Sequence, residues 1–126
     1  MEDSILNSVK KYLGLQADYD VFDQDILMAI NSAMMSLHQL GVGPAMGFAV
    51  NGETETWGSF LAEQPNIFVQ GVRAFVYTKV RLLFDPPSTS FGIDALEKQM
   101  RELEWRLNVQ VDPKPLYLQG VTDATV

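Results

Sequence analysis

Apolar positions recur in four stretches of the chain with the spacing of one face of an α-helix. Ile5, Val9 and Tyr12, with Leu6 and Leu13 beside them, predict a first helix over residues 4–13. Glu2 and Asp3 stand at its start and Lys10 and Lys11 in its last turn, so both ends suit the helix macrodipole. Gly14 is placed to stop it in a left-handed conformation. A second helix is predicted over residues 21–40, with Asp20 as N-cap. Its stripe is Phe22, Ile26, Ile30, Ala33, Leu37 and Leu40, and Leu27, Met28, Met34 and Met35 widen it beyond one face. Such a helix needs more than one partner surface. Gly41 and Pro44 end it.

Residues 41–62 break the period. Asn51-Gly52, between Phe48-Ala49-Val50 and Glu53-Thr54-Glu55, predicts a short β-hairpin, with Trp57 and Phe60 as its anchors. A third helix is predicted over residues 65–84, with Phe68, Val72, Phe75, Val76, Val80 and Leu83 on its buried face. Gly71 in its middle costs about 1 kcal/mol against alanine unless close packing requires it. Asp85-Pro86-Pro87 ends this helix. A fourth is predicted over residues 93–108, where Ile93, Leu96, Met100, Leu103 and Leu107 make a heptad seam of about two repeats. Trp105 lies off the seam, and both Trp57 and Trp105 are expected in the core. Pro113 and Pro115 exclude a helix in the tail. The expected fold is therefore all-α: one domain over residues 1–126, four main helices, a hairpin or irregular insertion between the second and third, and an extended C-terminal arm over residues 109–126.

Composition narrows the function. The chain has 126 residues, 47% of them hydrophobic and 20% charged, which suits one globular core. Sixteen acids against nine bases give a net charge of −7, against the basic footprint of a nucleic-acid binder. Zero cysteines exclude disulfides, thiolate metal sites and a cysteine nucleophile. Met1-Glu2-Asp3-Ser4 lacks the basic start of a signal peptide. The most apolar stretch, residues 67–84, carries Arg73, Lys79 and Arg81, so it reads as a buried helix and not a membrane span.

Chemical motifs fail on inspection. Asp18, Asp20, Asp23 and Asp25 invite a calcium loop, but Phe22, Asp23 and Ala29 stand where that loop needs an oxygen ligand, glycine and glutamate. Acids at a helix N-terminus account for the cluster. Residues 47–54 imitate a phosphate loop with Glu53 in place of the lysine, and an acid there repels phosphate. His38 is the single histidine and has no partner for a metal or a catalytic pair. No enzyme, cofactor or metal site is expected. What remains is surface: six methionines, the broad apolar girth of the second helix and the apolar tail either complete one core or meet partners.

Several strings resemble the head–tail connector proteins of tailed bacteriophages and prophages, also called adaptor or head-completion proteins. They are residues 22–31 (FDQDILMAIN), 39–44 (QLGVGP), Thr56-Trp57, 77–87 (YTKVRLLFDPP) and 104–108 (EWRLN). The resemblance implies a small helical subunit of the virion neck, assembled in the host cytoplasm as a homo-oligomeric ring, typically of twelve copies. That ring docks beneath the portal protein and receives a head-closure or tail-completion protein, with DNA as passing cargo and no membrane involved. On this resemblance, Lys79, Arg81 and Asp85 are candidates for contacts between subunits, with pairs inside one subunit as the alternative. Leu116, Tyr117 and Leu118 are candidates for an arm that docks on the portal or a neighbour. The rivals are a monomeric helical binding module or regulator, and a DNA-packaging accessory factor.

Overall fold

The computed structural model describes residues 4–111. It contains α1 (Ile5–Tyr12), α2 (Asp23–Leu40), α3 (Trp57–Phe60), α4 (Val69–Phe84) and α5 (Ser90–Val111). The long helices α2 and α4 pack together, α5 lies along α4 and reaches α2, and α1 closes against α2 and α4. Ile26, Ile30, Ala33 and Leu37 from α2 meet Val72, Phe75, Val76 and Val80 from α4 in the core. Ile5, Leu6 and Val9 from α1 and Met100 and Leu107 from α5 complete this core.

Local chemistry explains the helix ends. Ser4 caps α1 by accepting a hydrogen bond from Asn7 N–H at 3.2 Å. Gly14 has φ +84°, and the N–H groups of Gly14 and Leu15 return to the carbonyls of Lys11 and Lys10, closing a Schellman motif. Gly41 (φ +90°) ends α2 in the same way. The start of α2 differs from expectation. It begins at Asp23 with Phe22 in the cap position and no side-chain cap, while Asp20 contributes only its carbonyl to a turn. Aromatic contacts set the entry instead: Phe22 meets Tyr19 and Phe84 edge-on, at 6.0 and 5.5 Å between ring centres.

Two helices shift their bounds. The chain before α4 turns over residues 64–67, and Phe68 N–H donates to Gln110 Oε1 at 2.8 Å, so the helix begins at Val69 and not at Pro65. Thr89 caps α5 through Gly92 N–H at 3.0 Å, and the helix continues to Val111. Val109 and Val111, expected in an extended arm, are therefore helical. The rest of the arm, including Leu116, Tyr117 and Leu118, lies outside the described residues. Along α5 the expected seam holds, with Met100 and Leu107 buried and Ile93, Leu96 and Leu103 half-buried.

The β-hairpin does not form. Among the described residues there is no strand, only an isolated antiparallel bridge between Ser4 and Thr56, and the insertion adds the one-turn helix α3. The reason lies in where the backbone groups go. Val50 N–H donates to Asn31 Oδ1 at 2.7 Å, and Asn31 Nδ2 donates to Val50 O at 2.9 Å. Glu55 O accepts from Ile5 N–H at 3.0 Å. A helix side chain and the N-terminus of α1 thus occupy the groups that a hairpin partner would take. Trp57 and Phe60 do anchor the segment: Trp57 Nε1–H donates to Ser8 Oγ at 2.9 Å, and Phe60 packs on Phe48.

Candidate interaction surfaces

Lys10 stands in the last turn of α1, as expected, and is buried at 1% exposure. Its ammonium donates to Ala17 O at 2.9 Å and pairs with Asp23 Oδ1 at 2.8 Å, tying the loop before α2 to α1. Glu55 is likewise structural. Burial alone would raise its pKa, but hydrogen bonds from the backbone N–H groups of Asn51, Glu55 and Gly52 and from the Thr54 hydroxyl outweigh that and hold it below the usual glutamate range. Among the described residues no three His, Asp or Glu side chains converge to hold a metal ion. No helix there is long and apolar enough to cross a membrane.

Of the predicted site residues, the structure brings two together. Arg81 Nε donates to the Asp85 carbonyl at 3.3 Å at the C-terminal end of α4. This is a contact to backbone; among the described residues the Asp85 carboxylate forms no ion pair with Arg81. Lys79, half-buried on the same helix, joins neither of them. Beside this end of α4 lies a groove of about 480 Å³ lined by Phe22, Asp25, Met28, Ala29, Leu83 and Phe84. Met28 and Leu83 were expected to help bury their helices, yet Met28 is 72% and Leu83 53% exposed. Met35 is exposed too, whereas Met34 is buried.

The outer face of α5 is the second apolar surface. Phe91 is 83% and Trp105 67% exposed, and Val109 is also open. Phe91, Lys98 and Trp105 are spaced by seven, so they align along the helix opposite the seam that meets α4. Trp105 therefore does not enter the core. Assigning both tryptophans inward overlooked the heptad line through Phe91 and Trp105, which was available in the sequence.

A third surface is a basic cleft of about 890 Å³ whose walls include Asn7, Lys11, Tyr12, Arg73 and Tyr77. Tyr12 and Tyr77 stack at 4.8 Å with a 9° interplanar angle. The Arg73 guanidinium donates to Tyr77 Oη at 3.1–3.2 Å and lies 5.3 Å from the centre of the Trp57 ring. Periodicity gave no signal for this cleft, because its walls come from α1, the following loop and α4.

These surfaces are suited to holding other polypeptides, with apolar side chains for burial and a few cations for orientation. A family model described as phage connector protein matches residues 5–114, which takes in all five helices. No curated protein and no solved structure matches the chain.

Proposed function

The chain belongs to the phage connector protein family, and from that premise we propose that it is a ring-forming structural subunit of the virion neck. In this reading the ring docks on the portal protein and joins the DNA-filled head to the tail, receiving a head-closure or tail-completion protein on its far side. The observation that carries the proposal is the pair of apolar surfaces on different helices, the Met28–Leu83 groove and the Phe91–Trp105 face. A ring subunit needs two unlike patches, because head-to-tail contacts join different surfaces of successive copies. Burying Phe91 and Trp105 would each contribute about 2–3 kcal/mol before the entropy of association. Arg81 and Asp85, already joined at the groove's end of α4, and Lys79 on the same helix offer charge to a neighbouring subunit. The arm containing Leu116, Tyr117 and Leu118 extends the contact to the portal or an adjacent copy. The net charge of −7, multiplied around a ring, supports an acidic channel through which DNA passes without sticking.

The test is co-expression with the portal protein of the same phage genome, followed by pull-down and electron microscopy. Rings on the portal are expected for the unaltered chain. Trp105→Glu should abolish them while leaving the helical circular dichroism unchanged. A failed portal pull-down by the unaltered chain would favour a monomeric binding module. Duplex-DNA binding with a steep salt dependence would favour a packaging factor.

A further inference from the structure

The basic cleft has a continuation. Gln110 accepts from Phe68 N–H, so the end of α5 is pinned beside the start of α4. There Gln110 and Val111 wall a cavity of about 310 Å³ together with Glu63, Gln64 and Pro65. Gln64 and Pro65 also wall a second cavity, of about 240 Å³, floored by Trp57, Leu61 and Val69. Arg73 borders both this second cavity and the basic cleft. The three share walls in succession, Gln64 and Pro65 between the first and second and Arg73 between the second and the cleft, and so mark out a trough beside α4 from Val69 to Tyr77, a rise of about 12 Å.

We propose that this trough is the seat of the chain's own residues 112–126 in the free subunit. Val111, the last described residue, lines the first cavity. Pro113 and Pro115 favour an extended course, which suits a narrow groove. Leu116, Tyr117 and Leu118 follow five to seven residues on, within an extended reach of roughly 16–25 Å. That places them over the apolar floor of Trp57, Leu61 and Val69 and the tyrosine wall beyond it. Of the three charged residues in this segment, Lys114 would meet Glu63 at the near end and Asp123 would meet Lys11 at the far end, while Asp112 has no base among the walls of the first cavity. Tethering supplies the segment at an effective concentration in the millimolar range, so modest contacts suffice. The proposal concerns the isolated chain, so its failure would leave the neck assignment standing.

Because the chain lacks cysteine, paired cysteines report the seat directly. In full-length protein carrying Val69→Cys and Leu116→Cys, an intrachain disulfide should form at least ten times faster than in a Met28→Cys, Leu116→Cys control. Met28 lies in the groove at the opposite end of α4. The rate should not change on tenfold dilution. Equal rates in the two pairs would overturn the proposal, and so would a dilution-sensitive interchain disulfide, which would place the segment on a second copy. In parallel, full-length Leu116→Asp with Leu118→Asp should raise amide exchange over residues 57–73 at least tenfold. Unchanged exchange there would also overturn it.

Discussion

Asn31→Ala tests the polar link that replaces the expected hairpin. The side-chain amide satisfies both backbone groups of Val50, at 2.7 and 2.9 Å, and Val50 is 1% exposed. Alanine removes both partners and leaves a buried N–H and a buried C=O. Each orphaned group costs about 1–3 kcal/mol. The irregular segment around Val50 can shift to admit water, so the lower part of the summed range applies, about 2–4 kcal/mol. Against a total stability of about 5–15 kcal/mol, that is a large share. Urea unfolding followed by circular dichroism at 222 nm should show the midpoint falling with the slope unchanged. The Val50 amide should exchange faster than in the unaltered protein. Asn31→Asp sharpens the argument, since it keeps the acceptor for Val50 N–H but turns a second acceptor toward Val50 O. It should be destabilised at neutral pH and recover partly on acidification, as the carboxyl regains a donor. An Asn31→Ala midpoint corresponding to less than about 0.5 kcal/mol would refute the reasoning.

Lys10→Met should destabilise the fold by about 1–3 kcal/mol in the same urea assay, because it strands the Ala17 carbonyl and the half-buried Asp23 carboxylate. Gly43→Ala should cost at least about 2 kcal/mol by thermal unfolding: Gly43 has φ +95°, and a Cβ there would lie 2.4 Å from the Phe60 ring. Glu55 has a folded pKa below its unfolded value, so its stabilisation is present above about pH 4.3 and lost as pH falls through the folded pKa. The stability gap between the unaltered chain and Glu55→Ala, measured by urea titration at several pH values, should therefore narrow on acidification below pH 4.

Local pattern sufficed where neighbours in sequence decide the outcome. The stripe Ile26, Ile30, Ala33 and Leu37, the α5 seam and the glycine stops at Gly14 and Gly41 were all legible. The expected hairpin and the early start of the helix at Pro65 fail because of partners distant in sequence. Asn51-Gly52 carries a hairpin signal, but Asn31, nineteen residues from Val50, claims the backbone first. Phe68 was expected inside yet is half exposed, and its ring covers Gly71, where a Cβ would come within 2.6 Å. That close approach answers why a glycine stands inside α4. The breadth of apolar positions on α2 left two outcomes open, and the structure divides them: Met34 completes the core while Met28 and Met35 face outward. Among the candidate residues, only the proximity of Arg81 and Asp85 was foreseeable from their spacing of four.

Polar side chains brace the fold from within. Several polar side chains serve the backbone or one another: Asn31 holds Val50, Gln64 bridges Gly41 and Gly43, Gln110 caps the entry to α4, and Ser8 receives the Trp57 indole. These contacts tie the irregular segments and the helices to one another. The exposed surface shows the converse, with large apolar side chains such as Phe91, Trp105, Met28 and Leu83 left without cover. Exposing such side chains does not stabilise an isolated chain, and clustered on a surface they favour association. A rigid polar-braced body with uncovered apolar rows on two faces is the division of labour expected of a subunit whose work is done by what it touches. Weakening the bracing should lower stability, while Trp105→Glu should lower assembly alone, so the two effects separate experimentally.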